Sequence, residues 1–505
     1  MSEFLTATGA AFSPYYLALV LFGTFVGILV GAMPGLSSVM GLTIVLPFTF
    51  KIDGIGGIFM LLGVFCGAIY GGSITAILIN TPGTANSAAT VLDGYPMATK
   101  LGQPGRALSI STMASTFGGL FSSFALLWTS PLLAKVVLNF GSPEYFALAV
   151  FGLTIVTRIS SSSIMKSLMG AVLGLLFATV GLDLLSGVPR FTFGTAYLTG
   201  GIGYIPLLIA LYAFAQGMTT AEETAEGVPP VKLLKIESIL PRWDDIKVTF
   251  STLIRSSIIG VVVGAIPGTG GDIASWVGYN EAKRWSKHPE KFGTGVPEGI
   301  AAPESANNAV AGGALIPLLT MGIPGDAGTA VMLGAFMMHG IIPGPLLFRD
   351  QGVLVYTIIV GLFIANIFMG ILGFAGIRFF AKIPAIPNAV LVPIVFIFCY
   401  VGTFALNNNV DDIYFMIFAG IAAYFMVKLK FSMPPVILGL ILGGIMEKNL
   451  ARSLAISKGS FSIFFTRPIS CALMLIAILT LAQPVLSWAF RTIRKRREER
   501  GTDAA

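Results

Sequence analysis

Charge is scarce in this sequence. Asp, Glu, Lys and Arg make up 11% of its 505 residues and hydrophobic residues 55%, whereas soluble domains carry about 25% charged residues. With a mean hydropathy of +0.85, a soluble globular domain is excluded. A membrane span takes roughly 20 apolar residues, so there is room for about 10 to 13 segments. The expected fold is therefore an all-α polytopic membrane protein. Histidine is scarcer still: His288 and His339 are the only two, which excludes a His-rich metal site. Cys66, Cys399 and Cys471 stand apart in apolar context, which suggests neither a disulfide frame nor a metal cluster.

Other motifs are missing as well. Residues 264–272 are glycine-rich, but no Lys-Ser/Thr follows, so they form no phosphate-binding loop and nothing here hydrolyses ATP. No His-Glu-x-x-His occurs, and Thr269-Gly270-Gly271-Asp272 lacks the first glycine of the intramembrane aspartyl protease pattern. An enzyme is not expected, and energy must come from an ion gradient or another subunit. No Lys or Arg precedes Lys51, whereas a cleaved signal peptide wants a cationic start. The first apolar run, from Tyr15 to Ala32, is thus expected to be a retained span. The net charge of +7 is no nucleic-acid footprint, because much of it sits in Arg491, Arg494, Lys495, Arg496, Arg497 and Arg500. Short basic flanks stay on the cytoplasmic side, which places the C-terminus there.

Glycine, by contrast, is abundant: 60 residues, which suits close helix packing in lipid and irregular backbone beside cavities. Residues 71–96, GGSITAILINTPGTANSAATVLDGYP, start apolar and break at Asn80-Thr81-Pro82-Gly83. The pattern returns in residues 312–343, broken at Gly322-Ile323-Pro324-Gly325. An earlier pair of strings also matches: residues 27–35 (GILVGAMPG) and 260–268 (GVVVGAIPG). Pro267 follows Pro34 by 233 positions, Pro324 follows Pro82 by 242, and Gly340 follows Gly94 by 246. Landmarks in one order with a slowly growing offset indicate internal duplication. The expected organisation is a first transmembrane repeat (1–218), a polar linker (219–252), a second repeat (253–490, with loop 281–304 inserted) and a basic cytoplasmic tail (491–505). The halves are expected to be inverted.

Broken apolar segments at corresponding places in two halves point to a transporter's binding site. At the first break, Thr81 suits an N-cap with Pro82 at the first helical position. The N–H groups of Gly83, Thr84 and Ala85 would then be free to hold an anion. The candidate substrate residues are Pro34, Gly35, Ser37 and Ser38 at one string and Pro267, Gly268, Thr269 and Gly270 at its repeat. At the central breaks they are Asn80, Thr81, Pro82, Gly83, Thr84, Asn86 and Ser87, with Gly322, Pro324, Gly325 and Thr329. For a coupling cation, Na⁺ or H⁺, the candidates are Asn80, Asp272, Asn307, Asn308 and Asp326, because intramembrane polar groups are usually functional. No other metal or cofactor is implied. Plainer readings stay open beside these: Gly and Pro as simple kinks, Asp326 as the cap of a helix starting at Ala327, and Glu304, Asn307 and Asn308 as helix-mouth residues. Asp93 and His339 share one repeat position.

The strings INTPGTANSAATVLDGYPMATKLGQPGRAL and APESANNAVAGGALIPLLTMGIPGDAGTAVMLGAFMMHGIIPGPLLF resemble the large membrane subunit of the tripartite tricarboxylate transporters, the TctA family. The resemblance covers nearly the whole chain. It implies a bacterial inner-membrane secondary transporter of citrate or other carboxylates, coupled to Na⁺ or H⁺. It also implies two partners: a small four-helix membrane subunit and a periplasmic solute-binding protein. Its motif residues fall here on Pro34-Gly35, Asn80 to Gly83, Asp93 to Pro96, Pro303 to Asn308 and Gly322 to Gly325. Rival classes are a stand-alone carrier of the same architecture, a channel, which needs a continuous polar pore, and an intramembrane enzyme, whose catalytic set is not assembled by spacing.

Overall fold

The computed structural model describes residues 2–159, 163–183, 186–225, 234–237 and 239–482. The basic tail 491–505 and part of the polar linker therefore lie outside the described residues. The chain is an all-α polytopic membrane protein. Among the described residues, 8 helices are long and apolar enough to cross a membrane.

The first half runs through α1 (Ser2–Ala11), α2 (Pro14–Gly31), the short α3 (Ser38–Val45), α4 (Gly54–Ile79), α5 (Val91–Thr99) and α6 (Pro104–Val137). Then come α7 (Ser142–Ile159), α8 (Ile164–Ala178), a two-residue hairpin (β1, Gly181–Leu182; β2, Pro189–Arg190), α9 (Ala196–Thr199), α10 (Tyr204–Leu208) and α11 (Ala215–Ala225). Residues 209–214, between α10 and α11, form a π-helical turn. The second half contains α12 (Trp243–Ala265), α13 (Gly271–Trp285), α14 (Pro297–Met321), α15 (Ala327–Met338), α16 (Pro345–Asp350) and α17 (Gly352–Phe380). It closes with α18 (Asn388–Asn407), α19 (Val410–Lys428), α20 (Pro434–Ile456), α21 (Ile463–Thr466) and a last apolar helix, α22 (Pro468–Ala482).

Small residues set the packing. In lipid, helices associate by close backbone approach rather than by hydrophobic burial. Gly27 and Gly31 of α2 lie on the carbonyls of Val64 and Ala68 in α4, where an added Cβ would come within 2.4 and 2.3 Å. Gly260 and Gly264 of α12 lie on the carbonyls of Ala306 and Val310 in α14 in the same way. These are the same contacts at the offsets of 233 and 242 read from the strings. As a result α4 and α14 are buried along nearly their whole length.

Contacts between the halves also match in pairs. α6 packs on α14, and α17 packs on α4. Asp93, at the end of the first broken segment, sits over Gly299 in the first turn of α14. His339, at the end of the second, sits over Gly54 and Gly57 in the first turn of α4. His339 lies 3.3 Å from the Thr49 hydroxyl. α4 has 26 residues and is therefore about 39 Å long. It separates two ends of the molecule: one with Asp53 and His339, the other with Gly94, which packs on Ile77.

α20 continues through Glu447 to Ile456 and leaves α21 as a single turn. One local expectation is corrected. At the first break, no α-helix starts at Pro82. A 3₁₀ turn over Ala85–Ser87 follows Thr84, and α5 begins only at Val91. Thr81 is exposed, and its hydroxyl donates back to the Ile79 carbonyl instead of capping.

Candidate functional site

At the second break, α14 ends on Gly322, whose φ of +73° favours glycine. The chain crosses at Ile323-Pro324-Gly325, and Asp326 opens α15. Its carboxylate accepts from the Thr329 amide at 2.7 Å, while the Thr329 hydroxyl accepts from the Asp326 amide at 2.9 Å. That reciprocal capping box is the plainer of the two readings for Asp326. Gly325 lies against Gly264 and Ala314, and its carbonyl accepts from Gly268 at 2.8 Å. The break 266–270 and the break 322–326 therefore meet. Thr269 donates to the Ile266 carbonyl at 2.8 Å, and Gly270 precedes α13, with Asp272 exposed in its first turn.

At the first break, α4 ends on Asn80 in the left-handed region, with φ 60°. The chain then folds back: Gly83 donates to the Gly72 carbonyl at 3.1 Å and lies against the carbonyl of Gly31. Thr84 and Ser87 stand 242 positions before Asp326 and Thr329, yet no reciprocal cap forms here. Both hydroxyls are buried, close to Gly72, and lack a hydrogen-bond partner among the described residues. Orphaned buried hydroxyls carry a desolvation cost of about 1–3 kcal/mol each, so they call for an explanation.

The earlier pair of strings supplies one more half-helix start. The Ser37 hydroxyl caps α3 by accepting from Met40 at 3.1 Å, and Ser38 is buried. Pro34 and Gly35 form the preceding turn. The Gly35 carbonyl accepts from the Gln216 amide at 3.0 Å, so α11 closes over this tip.

Some candidates come together across the halves. Asn86 lies against Gly271, at the start of α13, and its carbonyl accepts from the Asn307 side chain at 3.1 Å. Asn308 donates to Asn307 at 2.5 Å. One turn before them, Glu304 is fully buried and accepts from Thr90 at 2.5 Å and from Ser115 at 2.9 Å. Asn80 and Thr81 are exposed, and neither is hydrogen-bonded to Asp326. Asp93 is occupied elsewhere. It accepts from Tyr279 at 2.9 Å and from the amides of Gly293, Gly295 and Val296 at 2.8–3.0 Å, which fixes the loop before α14.

Three residues missed in sequence line this region from the π-helical turn and its flanks. Tyr204 donates to the Ala330 carbonyl, Tyr212 has a buried hydroxyl without a partner among the described residues, and Gln216 holds Gly35. A polar residue inside the apolar run 199–218 was the available signal. A cavity of about 530 Å³ reaches the second break at Gly322 and is lined by Leu333, Pro343, Lys448, Asn449 and Arg452. Neither Lys448 nor Arg452 forms an ion pair among the described residues.

Helices interrupted at matching places in two halves are the pattern of a membrane transporter's binding region. The chain belongs to the tripartite tricarboxylate transporter TctA family, whose match covers residues 17–438. It is 37% identical over 489 residues to an uncharacterized 52.8 kDa protein in the TAR-I ttuC' 3' region of Agrobacterium vitis, covering 97% of this chain and 96% of that one. A protein in the TAR-II ttuC' 3' region of the same organism is 37% identical over 240 residues, which is 48% of this chain and 98% of the relative. No solved structure matches.

Proposed function

We propose that this chain is the large membrane subunit of a binding-protein-dependent secondary transporter that imports carboxylates, citrate or other tri- and dicarboxylates, on a Na⁺ or H⁺ gradient. The observation that carries this reading is the second-half junction, where Gly268 is bonded to Gly325 between the starts of α13 and α15. Helix N-termini suit a carboxylate without a buried arginine. The substrate lies between the starts of α3, α13 and α15 and the tip 83–87, with Pro34 to Ser38, Pro267 to Gly270 and Pro324 to Thr329 around it. Where Na⁺ is the coupling ion, the candidate oxygens are those of Asn80, Asp272, Asn307, Asn308 and Asp326. Its partners are a small four-helix membrane subunit and a periplasmic solute-binding protein.

Orientation follows from charge. Lys100, Arg106, Lys283, Arg284 and Lys291 lie on or next to the segments that meet around Asp93 and Gly94, and we take that end as cytoplasmic. The tail then lies in the cytoplasm of a bacterium, and the cavity beside Lys448 and Arg452 opens to the periplasm. There it draws anions toward the second break.

The test is uptake of labelled citrate and smaller dicarboxylates into vesicles holding the assembled transporter, with the binding protein present or omitted and each gradient imposed separately. The expected result is accumulation that needs the binding protein and follows one gradient. Accumulation without it would make the chain a stand-alone carrier, and no gradient-driven uptake of any carboxylate would overturn the reading.

A further inference from the structure

The geometry points to Glu304 as the group that carries the coupling proton, an inference that rests on the transport reading above and deepens it. Glu304 lies on α14 in the second half and is fully buried, yet both of its carboxyl oxygens are bonded to the first half. Thr90, on the re-entrant tip that leads into α5, contacts one oxygen at 2.5 Å, and Ser115 of α6 contacts the other at 2.9 Å. The first-half position 242 residues earlier is Leu62. The carboxyl therefore has no structural counterpart to explain it as a packing element of the repeat.

No cation compensates it among the described residues. Tyr70 of α4 is bonded to Thr112 at 2.8 Å, and Asp93 of α5 is bonded to Tyr279 of α13. Arg106 at the start of α6 pairs with Asp245 of α12, Arg349 of α16 pairs with Asp350, and Arg255 of α12 lies over Trp285. Of the charged residues on α13, Asp272 sits in the first turn, while Glu281, Lys283 and Arg284 lie toward its last turn, where Glu281 pairs with Arg284. A bare carboxylate in such a place is costly, and a bound cation must offset it. Both hydroxyls touch the carboxyl directly, so a proton fits where a metal ion would have to part them.

The step balances simply. The carboxylate takes one proton from water at one face and becomes a neutral acid with one O–H; it returns that proton at the other face. Hydroxyl donors from the tip and from α6 favour the ionised form. Moving the tip away removes the Thr90 donor and favours the acid. Proton occupancy and tip position are thereby linked, which is what coupling requires.

Infrared titration of the purified chain in lipid vesicles tests this without any carboxylate present. Wild type should show a protonated carboxyl band that disappears in Glu304→Gln, remains in Asp326→Asn and does not respond to Na⁺. Glu304→Gln should also lose proton-driven accumulation while keeping substrate exchange across the membrane. The proposal is overturned if no band is assignable to Glu304 between about pH 5 and 9, if Na⁺ displaces it, or if the Gln variant accumulates substrate on a pH gradient as wild type does. Because the band is read without substrate, failure of the transport reading leaves this result distinct.

Discussion

Asp93 and Glu304 are both fully buried acids, but their surroundings give them different work. Asp93 receives three loop amides and a tyrosine hydroxyl, so its charge is spread over the backbone that leads into α14. Hydrogen bonds to a charged group are worth about 1.5–3 kcal/mol each, and they are not additive. Asp93→Ala should therefore destabilise the fold by about 3 kcal/mol or more, seen as a lower melting temperature in detergent; an unchanged one would remove its anchoring role. The orphaned Thr84 and Ser87 hydroxyls predict the opposite pattern. Thr84→Val and Ser87→Ala break no hydrogen bond, so the melting temperature should hold or rise. Transport affinity for substrate or cation should fall. A fall in stability with unchanged transport would make these hydroxyls structural.

At the scale of elements, the glycine faces of α2 and α12 are equivalent seats for α4 and α14. Gly27→Leu and Gly260→Leu should be about equally damaging, because each drives a side chain into a backbone carbonyl that cannot move aside. Yield of folded protein after detergent extraction reads this directly, and tolerance of one but not the other would deny the equivalence. This is also where the limits of the sequence show. The Pro-Gly breaks and the two strings stood out because glycine and proline act locally and recur in the same order in both halves. The seating of Asp93 on α14 and of His339 on α4 was hidden, since it joins residues about 200 or more positions apart and neither motif changes its composition to announce it. Thr81 misled as a cap because its neighbours fit one, whereas Gly83 instead folds the chain back onto Gly72. Tyr212 and Gln216 lay unmarked in an apolar run until the π-helical turn brought them to the tips.

At the scale of the whole molecule, the two halves exchange contacts reciprocally. Movement of one half's tips against the other's long helix is thus the natural way to change access. The exposed cations Lys448 and Arg452 belong to this scale too, because on the proposed reading they draw the anion in before it reaches the breaks. Reversing both to Glu should lower the uptake rate at low salt about tenfold or more, with a smaller effect at high salt, where screening weakens steering; a salt-independent loss would point to a structural role instead.

The measurement that tests the central claim most directly is thiol accessibility at the two central breaks. Cys66 and Cys399 are buried and Cys471 is partly so, which makes replacing Cys471 alone a sufficient background. Ala85→Cys and Ala327→Cys then place one thiol beside each break, and membrane-impermeant reagents are applied from either face with and without citrate. The account predicts that each thiol can be labelled from both faces and that substrate with its coupling cation shifts the balance between them. Labelling of each thiol from one face only, unchanged by any carboxylate or cation, would contradict it.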